Sequence, residues 1–321
     1  MPGPRVEVLP PTTSPSPYGL LSVVQMRPDP DPTIVSGGQV GSHWRNGVIY
    51  GPLCGLNGGP GGGITFDDFC AVSGVGSKAA TVTRFWRGAT PFTPYAEIDC
   101  SPVGGFWDDP TFADAQDLAA AALQRSEGWQ VERAFWTGSP PIGANNLQVY
   151  PHLAANAAVL STGDLFAVTL QTAATTVTGV VDPVEGLGWL EDRLADCYNQ
   201  QGVIHVTPMI AVAMDSYGLL KKQGAQLQTL QGNLVAVGNG YPGTAPDGTS
   251  TAGVEWAYAT GQIFAYRSAQ VAFRREESLD RTENTLKQIA ERTFVLGWDC
   301  CHFGIPISTG GRATGVVSTP A

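Results

Sequence analysis

The sequence predicts an α+β fold, and three observations carry that prediction. One is a long Ala- and Leu-rich run, residues 112–136, opened by Asp109-Pro110 and closed by Gly138. The second is a pair of shorter helix starts, Asp182-Pro183 and Thr207-Pro208, with the β-branched run Val203 to Val206 between them. The third is a C-terminal part that reads as strands, with no helical period. A long helix, two shorter ones and a C-terminal stretch of strands together make a mixed chain of helices and sheets.

Composition sets the bounds. Of 321 residues, 43 % are hydrophobic, enough for a core and too many for a disordered chain. Only 14 % are charged, against roughly 25 % in ordinary soluble proteins, while 40 Gly and 24 Pro signal many turns. The glycines have no period of three, which excludes collagen. Charged residues are depleted in interface cores, so a charge-poor surface suits extensive protein contact. Net charge is −10, and no basic run exceeds Lys221-Lys222 or Arg274-Arg275. Wrapping of nucleic acid needs a basic stripe and is not expected. The N-terminus shows no secretory pattern, and the uncharged run 165–181 is Thr-rich and reads as buried strands rather than a membrane helix. Six cysteines, at 54, 70, 100, 197, 300 and 301, form no C-x-x-C pair, and four histidines cannot complete a local zinc spacing. They read as small buried hydrophobes of a reducing compartment, and no metal or cofactor is expected.

Along the chain, residues 1–34 hold nine prolines, which remove donors and fix φ, so this stretch reads as an extended arm rather than a packed element. A Gly-rich stretch, 51–63, follows. Residues 64–107 carry weak alternation and turn signals, as in a long two-stranded loop. Asp109 and Pro110 then suit the N-cap and first turn of a helix running to Thr137, about 40 Å long at about 1.5 Å per residue. Gly128 is its candidate kink and Gly138 its stop. The next helix has Asp182 as N-cap, Pro183 at its first position and Glu185 at the capping-box position, with Val184, Leu187, Leu194 and Cys197 near one face. A strand 202–206 leads to a third helix from Thr207-Pro208, carrying Ile210, Ala213, Met214 and Tyr217. Strands 226–230 and 233–237 precede a polar loop, 239–253. Residues 256–260 and 262–273 read as strands, and 292–307 as one long strand with Pro306 as candidate break.

Motifs that would carry catalysis fail on local grounds. Gly238-Asn239-Gly240-Tyr241-Pro242-Gly243 matches G-x-G-x-x-G after a strand, but Pro242, Pro246 and Gly248 forbid the helix whose N-terminus would meet a pyrophosphate. Cys300, Cys301 and His302 suggest a nucleophile and base, yet neighbours in a strand point to opposite faces. His43, His152 and His205 have no flanking signature, and Asp67-Asp68 and Glu276-Glu277 read as solvated faces. Nucleophile-elbow, Walker A and zinc-protease patterns are absent, so no catalytic residue is assigned.

The order of elements resembles the tailed-bacteriophage major capsid proteins, whose Hong Kong-97-type fold is shared with encapsulins. Residues 182–243 are similar to that family's axial domain. The matching pieces are helix Asp182 to Tyr198, strand Val203 to Val206, the Thr207-Pro208 helix start, the turn Leu219-Leu220-Lys221-Lys222-Gln223-Gly224 and the strand Gln231 to Val237. Ile263 to Ser268 and Glu291 to Asp299 look like the family's return strands, and Glu132 to Gly138 resembles the end of the encapsulin spine helix.

That resemblance implies an N-terminal arm (1–50), a Gly-rich segment and extended β loop (51–107), a peripheral domain with spine helix (108–181), an axial domain (182–260), and return strands with a tail (261–321). It implies self-assembly into hexamers and pentamers of an icosahedral head around double-stranded DNA, bound without specificity. Portal, scaffold and decoration proteins are the further partners; no membrane is involved. Assembly contacts are expected at Pro10, Pro11, Pro28 and Pro30 in the arm, at Lys78, Arg84 and Phe85 in the β loop, and at Tyr241, Pro242 and Asp247 in the axial loop. The first 34 residues lack the charged helical pattern of a removable scaffolding segment, so cleavage is not expected. Lys78 is the β loop's candidate for a Lys–Asn cross-link, but no Asn partner can be assigned. Two alternatives stay open: an encapsulin-type shell, and a cytosolic α/β enzyme using 238–243 as a phosphate loop.

Overall fold

The computed structural model describes residues 16–27, 43–51, 86–100, 111–139, 148–161, 168–198, 200–277 and 286–309. The chain opens with α1 (Leu20–Val23), β1 (Gln25–Arg27), a 3₁₀ turn at His43–Asn46 and β2 (Val48–Tyr50). Then come β3 (Trp86–Ala89), β4 (Pro91–Phe92), β5 (Tyr95–Cys100) and the long α2 (Thr111–Thr137). Three short strands follow, β6 (Val159–Ser161), β7 (Val168–Gln171) and β8 (Thr175–Thr176). Next are α3 (Pro183–Cys197), β9 (Val203–Val206), α4 (Pro208–Ser216), β10 (Leu220–Gln223), β11 (Gln226–Thr229) and β12 (Leu234–Val237). The chain closes with β13 (Val254–Thr260), β14 (Ile263–Arg267), β15 (Ala272–Glu277), β16 (Leu286–Glu291), β17 (Phe294–Trp298) and β18 (His302–Ser308).

The largest layer is a seven-stranded sheet in the order β10-β11-β12-β9-β13-β18-β8. Both of its faces are covered, which is why β9 is buried at every position. Ile204 and Val206 point to the side where Leu187, Leu190 and Leu194 of α3 meet Ile210 and Met214 of α4. Val203 points the other way, to a core of Leu20, Val131, Phe135, Trp136, Tyr258 and Trp298. Phe135 and Trp136 are fully buried, and burial of such a side chain is worth about 1.5–3 kcal/mol. The N-terminal half of α2 sets Ala119 and Leu123 against Ala290 of a smaller sheet, β15-β16-β5. Two four-stranded sheets, β1-β14-β17-β4 and β2-β3-β7-β6, complete the body.

Local signals produce the helices. The Asp182 carboxylate accepts the N–H groups of Val184 and Glu185 at 2.9 Å each. The Thr207 hydroxyl accepts that of Ile210 and donates to Glu255. Both helices have Pro at the first position. α2 runs unbroken through Gly128 and ends at Gly138, which adopts φ +72° and returns its N–H to Ala134.

Five expectations are corrected. Part of the supposed free arm is docked: Leu20 and Val23 are core residues and β1 pairs parallel with β14, because the segment supplies apolar surface between prolines. The expected strand 292–307 is two strands in different sheets, β17 and β18, split where Cys301 takes φ +61°; Pro306 sits inside β18 opposite Trp256. The turn at 219–224 contains a strand, β10. Within 165–181, β8 is an exposed edge rather than a buried strand. Val184 points to solvent on α3.

Candidate functional site

The G-x-G-x-x-G segment is a packing joint. A Cβ on Gly240 would lie 2.2 Å from the Trp129 carbonyl of α2, and one on Gly238 would meet the Tyr241 ring. Glycine is needed here so that backbone can press on helix. The N–H of Gly240, which a phosphate would require, is donated to the Glu132 carboxylate at 2.9 Å. The chain then continues as loop rather than helix. This arrangement removes the phosphate-loop alternative.

Glu132 itself escaped the sequence reading. It is 4 % exposed, and its other oxygen accepts the Leu20 N–H at 2.9 Å. One carboxylate therefore ties the N-terminal segment, the spine-like α2 and the 238–243 loop together. Burial raises its pKa, partly offset by the N–H groups of Gly240, Leu20 and Asn239. A Cβ on Gly19 would strike the same carboxylate, so the approach is close from that side too. One turn earlier, Glu127 accepts both contacts of a forked pair from Arg292, each 3.1 Å, between α2 and the β16–β17 connection. No local pattern marks either carboxylate, because their partners lie more than 100 residues away in sequence.

His205 and His302 are both buried. His205 lies fully buried between the Tyr241 hydroxyl, 3.0 Å, and the Thr260 hydroxyl, 3.1 Å. Burial, then the nearby His302, pushes its pKa down to about 3. His302 contacts the Leu153 carbonyl at 2.7 Å, and burial takes its pKa to about 4. Neither ring reaches solvent or substrate. Cys301 is no thiol: it is bonded to Cys197 across 104 residues, tying the end of α3 to the β17–β18 turn. Cys300 is disulfide-bonded as well. The reading of these cysteines as free buried hydrophobes is thus corrected.

The expected contact residues divide. Pro10, Pro11, Pro28, Pro30, Lys78, Arg84 and Phe85 lie outside the described residues. Tyr241 is a core residue, 5 % exposed with its ring tilted against Trp136 at 4.9 Å, so it is no loop tip. Pro242 is half-buried. Asp247 is exposed and closes a turn, accepting the N–H and hydroxyl of Thr249, which hold its pKa down. What the surface does offer is apolar: Met209, Val212 and Tyr217 along α4, and Leu230 near the base of the same sheet, are each more than half exposed. Among the described residues, no His, Cys, Asp or Glu group could hold a metal ion, and no helix is long and apolar enough to cross a membrane.

No protein-family model and no curated protein matches the chain. Solved structures do. The capsid of the native GTA particle is 11 % identical, with TM-score 0.53, over 95 % of this chain and 94 % of that one. The capsid of the empty GTA particle gives 11 %, 0.51, and 95 % of each chain. The holo-SrpI encapsulin complex from Synechococcus elongatus gives 10 %, 0.50, and 98 % and 96 %. At these identities the likeness is one of fold, and it spans nearly the whole of each chain. The α+β fold of these GTA capsid and encapsulin shells is the fold of this protein.

Proposed function

We propose that this protein is the major capsid protein of a tailed phage, building an icosahedral head of hexamers and pentamers around double-stranded DNA. The observation that carries the reading is the full-length likeness of fold to capsid chains. Its role is structural: copies of itself are the main partner, with portal, scaffold and decoration proteins as further ones. It resides in the virion capsid after assembly in the host bacterial cytoplasm. Physical features support this. The apolar residues exposed on α4 favour burial between copies. A net charge of −10 keeps DNA from adhering to the wall. The arm prolines Pro10, Pro11, Pro28 and Pro30, with Lys78, Arg84, Phe85, Pro242 and Asp247, serve as contacts to neighbouring copies in this reading.

A second reading, an encapsulin-type shell enclosing proteins, is favoured by the encapsulin likeness alone. Negative-stain microscopy of the expressed chain tests both. Closed shells, tubes or capsomers are expected; a monodisperse monomer at high concentration overturns both. Protein cargo in particles from the native source selects the second reading, and packaged DNA the first.

A further inference from the structure

Among the described residues the seven-stranded sheet ends in two edges of unlike chemistry, β10 on one side and β8 on the other. Their directions follow from the pairings. β10 is antiparallel to β11, β11 to β12, and β12 runs parallel with β9. β13 opposes both β9 and β18, and β18 runs parallel with β8. The two edge strands therefore run the same way. A second copy, rotated about an axis along the strands, presents its β10 to the first copy's β8 without inversion. Such a contact uses a different patch on each copy, which is the kind that closes into rings.

The charges complement each other. On β10, Lys221 and Lys222 are exposed and lie on opposite faces of the edge. Lysines on an open edge deter indiscriminate strand addition, and a defined acidic neighbour is what would relieve that repulsion. Beside β8 lies a groove of about 460 Å³, lined among others by Trp189, Arg193, Asp196 and Phe303. The exposed face of α3 flanking it carries Glu185, Asp192 and Asp196 against the single cation Arg193. Arg193 reaches Asp196 only at 3.8 Å, with both side chains largely in solvent, so the acid is available. β8 is two residues long, too short for main-chain pairing to supply the joint alone.

We infer that copies of this chain associate head to tail through these two edges, Lys222 of one copy, on the sheet face that it shares with Leu227 and that α3 covers, seating against Asp196 in the groove beside β8 of the next and Asp192 on the same exposed side of α3. The inference rests on the shell role proposed above and names the surface that role would use. Zero-length carbodiimide coupling of wild-type particles is expected to join the Lys222 side chain to Asp192 or Asp196 of another copy. The variant K222E is expected to keep its circular dichroism and lose particles by sedimentation, as is D192K/D196K; combining the three changes is expected to bring particles back. Particles at wild-type yield from either variant, failure of the combination to restore them, or the absence of those cross-links among others that form, overturns this pairing and leaves the shell role standing. A wild-type chain that never leaves the monomer overturns both.

Discussion

Replacing Glu132 by Ala removes the side chain that meets the Leu20 and Gly240 N–H groups, both buried and both held at 2.9 Å. A buried donor left without a partner costs about 1–3 kcal/mol, so the two together cost about 2–6 kcal/mol. One effect opposes this. Burial raises the pKa of Glu132, so the ionised carboxylate is itself held at a disadvantage, and its removal returns about 1.4 kcal/mol for each pKa unit of that shift. The net loss expected is therefore smaller than that sum, on the order of 1–4 kcal/mol. Glu132→Gln keeps one accepting oxygen but turns an amide NH₂ toward the second N–H, so it should fall between wild type and Glu132→Ala. Urea unfolding of the dissociated subunit gives the free energies, and amide hydrogen exchange locates them. Protection at Leu20 and Gly240 should drop in Glu132→Ala by more than protection in β9. Equal stability of the two proteins, or unchanged protection at both amides, would refute the reasoning.

Two further outcomes follow from the core. Trp298 is 1 % exposed and packs edge-on against Phe135 at 5.5 Å, so Trp298→Asp buries an unpaired carboxylate and empties a large volume. A loss of about 4 kcal/mol or more is expected, read as insoluble or unfolded protein; soluble chain with native near-ultraviolet dichroism would remove β17 from the core. The second outcome concerns pH. His205 and His302 stay neutral in the fold down to about 3 and about 4, whereas in the unfolded chain they take protons near pH 6.5. Between these limits the unfolded state binds more protons, so stability should fall as pH is lowered from about 6.5 to about 4, by up to about 1.4 kcal/mol per pH unit for each ring. Glu127 and Glu132, whose pKa values the fold raises above the ordinary carboxylate value, take up protons in the fold before they do in the unfolded chain, so within this same range they act in the opposite sense and soften the fall. Unfolding free energies at pH 7 and pH 5 check this, and a flat profile would contradict neutral buried rings.

What was legible in the sequence was what local chemistry decides. Asp182-Pro183 and Thr207-Pro208 each bring their own cap, and the helices start where those residues stand. Gly138 stops α2 because only its own φ is at issue. Partners distant in sequence were not legible. Residues 294–307 have strand character throughout, and only pairing with β14 on one side and β13 on the other divides them between sheets. Cys197 and Cys301 share no motif; the fold brings them together. The proline-rich start was read by its breakers, while Leu20, Leu21, Val23 and Val24, four apolar positions among them, were what the core used. Tyr241 looked like a loop residue because its neighbours are Gly and Pro, yet those neighbours are what let it turn inward.

The middle of α2 has a mechanical consequence. Glu127 fastens the helix to Arg292 on one side of Gly128, and Glu132 fastens it to two other segments on the far side. Between the fasteners sits the residue with the weakest hold on helical geometry, where an added methyl would touch nothing within 4 Å. A beam anchored on both sides of its most compliant section concentrates any load there. Forces arriving from the β15-β16-β5 sheet or from the seven-stranded sheet meet at one turn of helix, and neither sheet need yield.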